Sequence, residues 1–300
     1  MARFLSVSMF SWRYARRALG SAFRNPGALA SLLGGGNPGD YIYNKRMGEW
    51  LSTRKEYLLE PKDTFGFKIF LNPDDMSQTS ALIAASGWLN LPVTCLLLDL
   101  LKPGMGVVDV GANLGFYALL SAKAVGRTGR VWGFEPERHN FLLMTESIRA
   151  SRFENIEPVQ MALSDKPGPG RLYLAPPSEP NAHTLTTDRG VGSLDVPTTS
   201  LDEFWRAHGA SRLDLLKVHV FGDEPIVLRG SMTVLRESRP MVLTRFGSSR
   251  WSDDPALVDD LFSWYDVYEI VESPSLIRRI AKSALVAGGR RGIFLSPKRG

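Results

Sequence analysis

Lys102-Pro103-Gly104-Met105-Gly106-Val107-Val108-Asp109-Val110-Gly111-Ala112-Asn113-Leu114-Gly115-Phe116-Tyr117 is the stretch on which the reading of this chain turns. Val107-Val108-Asp109-Val110 is a short β-branched run of the kind that forms a strand buried on both faces. Gly111-Ala112-Asn113-Leu114-Gly115 interrupts it, and Phe116, Leu119, Leu120 and Ala124 then recur at helical spacing. A strand that passes through a glycine loop into a helix is the unit that places a ligand at the carboxyl end of an open α/β sheet.

Working downstream, Val131 to Phe134 reads as a second strand, followed by a helix through Phe141, Leu142, Met144 and Ile148. Ile156 to Met161, Leu215 to Val220 and Met241 to Phe246 supply a third, fourth and fifth, and Val267 to Val271 and Gly292 to Leu295 two more. Strands alternating with helices imply right-handed crossovers and a doubly wound, mostly parallel sheet. Gly170 to Leu174 and Asp195 to Thr198 read as an inserted hairpin outside that repeat.

The loop departs from that of a dinucleotide binder. Asn113 stands where Gly-x-Gly-x-x-Gly has its second glycine, and the third comes one residue early, at Gly115. Asparagine tolerates left-handed backbone, but its side chain hinders the close approach of a diphosphate. Glu135 follows Gly111 by 24 residues, at the end of the second strand, where an acid accepts hydrogen bonds from ribose hydroxyls. Phe134 and Pro136 flank it and fix its direction. An adenosyl ligand without phosphates, S-adenosylmethionine, suits this pair of features, with amides at the helix start facing its carboxylate. A nicotinamide dehydrogenase is a distant alternative.

Residues 102–117 resemble the opening motif of the FkbM family of S-adenosylmethionine-dependent methyltransferases. Gly133-Phe134-Glu135-Pro136-Glu137 and Ala162-Leu163-Ser164-Asp165 are similar to its next two blocks, Val196 to Asp202 to the segment before the fourth strand, and Asp74-Asp75 through Gly87-Trp88 to its lead-in. The resemblance implies a Rossmann-like sheet of seven strands, monomeric or homodimeric, that methylates hydroxyl oxygens of sugars, polyketides or other metabolites. It assigns Asp109, Gly111, Ala112, Asn113, Gly115, Phe116, Glu135 and Pro136 to the cofactor, with Ser164 and Asp165 near the adenine edge, and S-adenosylhomocysteine as the product.

The chemical half departs from the family. Lys217-Val218-His219-Val220-Phe221-Gly222-Asp223-Glu224 aligns with Lys-Ile-Asp-Val-Glu-Gly-x-Glu, so His219 replaces an aspartate, Phe221 replaces a glutamate, and Glu224 is kept. After the fifth strand the usual acid falls at Thr244 or Arg245. His219 titrates in the range of a general base for removing a hydroxyl proton, with Asp223 or Glu224 orienting it. It also reads as a histidine that packs and hydrogen-bonds without chemistry, or as a substrate or metal contact. The loss of acids also fits a pseudoenzyme that binds the cofactor and regulates a partner. His183, Lys217 and Arg245 are candidate substrate contacts.

Over 300 residues, 44% hydrophobic and 22% charged is the composition of a folded soluble protein, but its net charge of +5 is uneven. Residues 1–39 hold five arginines and no acid, and residues 276–300 hold seven basic residues and no acid, so the body between them is acidic. That distribution argues against a nucleic-acid partner. The chain divides into a basic amphipathic arm with a Gly-rich linker (1–39), a lead-in region (40–100) and the cofactor-binding domain (101–300). For the arm, a helix packed on its own domain, contact with an anionic membrane surface and a mitochondrial presequence all stand open. Arg278, Arg279, Lys282, Arg290 and Arg291 fall in the basic 276–291 connection, read either as a solvated loop or as a holder of an anionic substrate or surface near the crevice. No apolar run is long enough to span a membrane. Cys95 is the single cysteine, and the histidines lack metal-ligand spacing, so no metal site is expected and a reducing, cytoplasmic setting is.

Overall fold

A computed structural model describes residues 60–298 apart from 74–77, 176–182, 189, 210–211, 248, 272–276, 287–288 and 290. The arm at 1–39, residues 40–59 of the lead-in and Arg290 lie outside the described residues.

The strand read first, β3 (Gly106–Val110), is at the heart of the molecule, parallel to β4 (Arg130–Phe134) on one side and β9 (Leu215–Val218) on the other. Its side chains alternate between the faces: Val107 packs into one apolar cluster, while Val108 and Val110 pack into the other. A two-faced core requires helices on both sides of the sheet. On the first face lie α2 (Leu91–Leu100), α3 (Phe116–Val125) and α4 (Arg138–Ser151), with Leu119, Leu120 and Met144 buried. These helices share that face with the hairpin β1 (Lys62–Thr64)–β2 (Phe67–Ile69) and α1 (Gln78–Ser86). On the second face lie α5 (Leu201–Ala207), α6 (Glu224–Arg229), α7 (Met232–Glu237), the short α8 (Ser249–Ser252) and α9 (Pro255–Trp264). In α4 the expected apolar stripe holds at Met144 and Ile148, whereas Leu142 is 46% exposed.

The main sheet runs β12-β11-β13-β10-β9-β3-β4-β5. Here β5 is Ile156–Val159, β10 is Met241–Phe246, β11 is Tyr265–Ile270 and β13 is Arg291–Pro297. β13 lies antiparallel between β10 and β11. Among the described residues this sheet has eight strands, where seven were expected. The additional one, β12 (Ile277–Arg279), is an edge strand formed from residues read as part of the connection, where Arg278 pairs across from Glu269. This changes the reading of the basic segment. Arg278 meets Glu269 at 2.5 Å, Arg279 meets Asp266 at 2.5 Å, and Lys282, which opens α10 (Lys282–Val286), pairs with Asp259. Of the described basic residues there, Arg291 alone lines the central cavity. A three-residue strand surrounded by cations carries too little apolar pattern to be seen in the sequence.

The inserted hairpin forms as β7 (Gly168–Tyr173) and β8 (Ser193–Thr199), antiparallel to each other, with β6 (Ala162–Leu163) parallel to β8. This small second sheet starts at Ala162, just after β5 stops at Val159, two residues before its expected end. Among the described residues no helix is long and apolar enough to cross a membrane.

Candidate functional site

The carboxyl ends of β3, β4, β9 and β10 open into a cavity of about 880 Å³. Its floor is the loop after β3. Gly111 takes φ +71° and packs so tightly under β9 that a Cβ there would come within 2.2 Å of the His219 carbonyl oxygen. Asn113 takes φ +54°, the left-handed geometry that asparagine tolerates. Gly115, at φ +86°, begins α3 and does not line the cavity. A Cβ there would lie 2.6 Å from Met144 Cγ, so its role is to let α3 approach α4.

Glu135 joins the second strand to this loop. Its Oε2 accepts from the Asn113 N–H at 2.8 Å and its Oε1 from the Glu137 N–H at 3.0 Å. The residue is 6% exposed and lines the cavity beside Gly111, Ala112 and Asn113. Burial raises its pKa to about 7, against the pull of those two amides. A carboxylate oxygen has two lone pairs, so each keeps one for a ligand hydroxyl. The loop itself offers less than expected. The amides of Gly111 and Ala112 donate to the Phe134 oxygen, Leu114 donates to Asn113 Oδ1, and Gly115 donates to the Ala112 oxygen. Phe116 and Tyr117, at the start of α3, also line the cavity, where the amides of a helix N-terminus offer a place for a ligand carboxylate.

Several expected cofactor contacts do not reach the cavity. Asp109 is 1% exposed within β3, and its Oδ1 accepts from Lys217 Nζ at 2.6 Å. Lys217 does line the cavity, held by that ion pair with its ammonium 5.0 Å from the centre of the Tyr117 ring. Ser164 and Asp165 are absent from the wall because the chain leaves the main sheet at Val159 and carries them beneath Gly230, where an added Cβ would stand 2.0 Å from the Ser164 oxygen. Met161, Ala162 and Leu163 take their place. Pro136 lines the wall next to Glu135.

The expected grouping of His219 with Asp223 or Glu224 does not form. Asp223, 3% exposed, accepts from Thr184 Oγ1, the Leu185 N–H, Thr186 Oγ1 and Arg250 Nη1. It ties the 184–186 segment over the cavity. Glu224 accepts from the Val220 and Gly222 amides at 3.2 and 2.8 Å, holding the turn in which Phe221 adopts φ +51°. Burial raises its pKa, offset in part by those amides. His219 instead stacks on Phe221, with ring centres 4.8 Å apart, and its Nε2 lies 2.9 Å from Arg245 Nη1. Arginine only donates, so Nε2 is the acceptor and the ring is neutral with its proton on Nδ1. Burial, then the positive charges of Lys217 and Arg245, lower its pKa well below the ordinary value. His183 also lines the cavity, with Nδ1 accepting from the Ala175 N–H.

Removing the clamp has a defined consequence. Asp223→Ala removes the carboxylate from two hydroxyls, an amide and the Arg250 guanidinium, which keeps the Gly222 oxygen and Thr187 Oγ1 as acceptors, and is expected to lower stability by about 2–3 kcal/mol. Thermal unfolding measures this loss, and limited proteolysis should show faster cleavage around residues 183–187.

Sequence reading missed Trp88, Asn90 and Leu91, which close the cavity from the lead-in side, and Asn140 of α4. The one legible sign was Asn90 followed by Pro92, a helix start, and Asn90 Oδ1 does accept from the Val93 N–H.

A family model described as the methyltransferase FkbM domain matches residues 109–269. No curated protein matches the chain. Among solved structures, a methyltransferase FkbM from Methylobacillus flagellatus KT is 12% identical, with 85% of this chain and 60% of that one covered and a TM-score of 0.44. An Aeropyrum pernix fibrillarin with natively bound S-adenosyl-L-methionine is 15% identical, with 78% and 84% covered and a TM-score of 0.40. A SAM-dependent methyltransferase from Aquifex aeolicus is 15% identical, with 68% and 88% covered and a TM-score of 0.38.

Proposed function

The chain belongs to the methyltransferase FkbM family, and on that premise we propose that it transfers a methyl group from S-adenosylmethionine to a hydroxyl oxygen of a small molecule, glycan or lipid-linked metabolite. The observation that carries the reading is the meeting of Glu135 and Asn113 at one cavity wall at the carboxyl ends of β3 and β4. Glu135 would hold the ribose hydroxyls on its remaining lone pairs, and the start of α3 would receive the amino-acid carboxylate. The bound sulfonium supplies an electrophilic methyl carbon and leaves as a neutral thioether. A new C–O bond forms as the S–C bond breaks, and the acceptor loses its hydroxyl proton. Holding oxygen, carbon and sulfur in line is the protein's main contribution to rate.

His219 is the candidate to take that proton, and it can do so only when Arg245 releases Nε2. The same hydrogen bond supports a second reading, a protein that binds the cofactor without turnover. Transfer of radiolabelled methyl into an acceptor pool supports the enzyme. Its persistent absence alongside firm binding of S-adenosylhomocysteine supports the second.

The cofactor reading carries a pH signature. With Glu135 at about 7 in the empty protein, acid pH fills the carboxylate with a proton that a hydroxyl donor must displace. Affinity for S-adenosylhomocysteine should fall up to about tenfold per pH unit below 7 and level off above it. Calorimetry at pH 6 in buffers of different ionisation heat should show proton release on binding. The folding contribution has the opposite sense: a carboxyl with a raised pKa favours the folded state fully below its unfolded value of 4.5 and loses that contribution as pH rises through 7. Affinity that is flat from pH 5.5 to 8 would remove Glu135 from the ribose.

A further inference from the structure

Asn140 is a polar side chain that the fold buries without employing. It is 5% exposed, it lines the cavity, and its side-chain amide has no hydrogen-bond partner among the described residues. Only its backbone N–H is engaged there, donating to Glu137 Oε2 at 2.7 Å. An amide taken out of water with nothing to bond costs stability, so a buried one at a cavity wall points to a ligand that supplies the partner.

Two hydrogen bonds fix its position. Glu137, the N-cap of α4, donates its N–H to Glu135 Oε1 at 3.0 Å and accepts the Asn140 N–H on its own carboxylate. The end of β4 and the first turn of α4 are thereby held together. Helical side chains lean toward the N-terminus, so the Asn140 amide is directed back toward the end that carries Glu135. Met144, one turn further on, shares its face of α4 and packs against Gly115 at the start of α3.

The chemistry of Glu135 leaves a need that an amide meets. An ionised carboxylate only accepts, so ribose hydroxyls bound to it give it their protons and keep oxygen lone pairs that call for donors. The neighbouring backbone has few to offer. The amides of Gly111, Ala112 and Gly115 are spent on backbone carbonyls, that of Leu114 on Asn113 Oδ1, and that of Met161 on the Val159 oxygen. The NH2 group of Asn140 brings two donors.

We propose that Asn140 completes the ribose site: its Nδ2 donates to a ribose hydroxyl oxygen whose own proton is given to Glu135. The inference rests on reading this cavity as the S-adenosylmethionine site. A carboxylate and an amide set side by side recognise a diol, and they discriminate against a sugar that lacks a hydroxyl, because one of them is then left unpaired.

The test is calorimetric titration of the full chain with S-adenosylhomocysteine at pH 8, comparing wild type with Asn140→Leu and Asn140→Asp. Leucine keeps the shape without polar atoms. Aspartate suits a helix N-terminus but has no N–H and adds a negative charge near Glu135. Both variants are expected to bind about tenfold more weakly or worse. The unliganded leucine variant should melt at or above the wild-type temperature, since no hydrogen bond of the protein is lost, whereas removal of a structural amide would lower it. Analogues of S-adenosylhomocysteine lacking one or the other ribose hydroxyl locate the contact. With one of them the difference between wild type and variant should close to within about twofold. A difference undiminished with both analogues, or equal affinity of wild type and variants for S-adenosylhomocysteine, overturns the proposal. Should the leucine variant fail to fold, the aspartate variant decides by the same affinities. Wild type that fails to bind S-adenosylhomocysteine overturns the cofactor reading itself, whereas wild type that binds it no better than the variants overturns this inference alone.

Discussion

Glu135→Ala is expected to weaken S-adenosylhomocysteine binding about 100-fold, close to 3 kcal/mol, in calorimetric titration at pH 8. Two losses add. The ribose hydroxyls lose a charged acceptor, and the amides of Asn113 and Glu137 lose the carboxylate that joins the β3 loop to the β4 end. Glu135→Gln separates them. An amide keeps one acceptor oxygen, but its NH2 group faces an N–H of the protein, so an intermediate loss of about tenfold is expected. Equal affinity in wild type and Glu135→Ala would remove the ribose assignment, and with it the placement of the cofactor in this half of the cavity.

Gly111→Ala is expected to be the most damaging single methyl group in the site. The residue stands at φ +71°, where a side chain costs about 1–2 kcal/mol, and the added carbon would meet the His219 oxygen at 2.2 Å. That oxygen belongs to backbone and cannot swing aside, so the end of β9 must move away from β3, at a further cost of about 1–3 kcal/mol. Together these amount to about 3 kcal/mol, or a fall in melting temperature of roughly 5–10 °C. Because the displaced segment carries His219, the cavity changes shape even where the fold survives. Binding of S-adenosylhomocysteine should therefore fall alongside stability. A variant with wild-type melting temperature and affinity would show that the loop is not held by this contact.

Local pattern settled the architecture around β3. A β-branched run buried on both faces, a turn that only glycine and asparagine accept, and a helix beginning at Phe116 are consequences of short-range sterics and of spacing, so they are legible in residues 102–117 without any partner. The same holds for Glu135, whose place at a strand end follows from the two strands being neighbours. The inserted hairpin showed itself through its own alternation. Edge strand β12 did not, since three residues carry no period.

The site's chemistry depended on contacts far apart in the chain, and there the local pattern misled. Asp109 is an acid next to a ligand loop, yet a lysine 108 residues away claims it. Asp223 and Glu224 sit within five residues of His219, yet one is bound by threonines some 40 residues upstream and the other turns back onto the Val220 and Gly222 amides. His219 was open to reading as a base from its type alone. Its neutral state comes first from burial and then from the charges of Lys217 and Arg245, and its Nε2 is engaged by that arginine on the adjacent strand, brought there by the parallel pairing of β9 and β10. A side chain's identity fixes which protons it can carry, while the charges that folding places around it fix whether it carries them, and no window of sequence contains both.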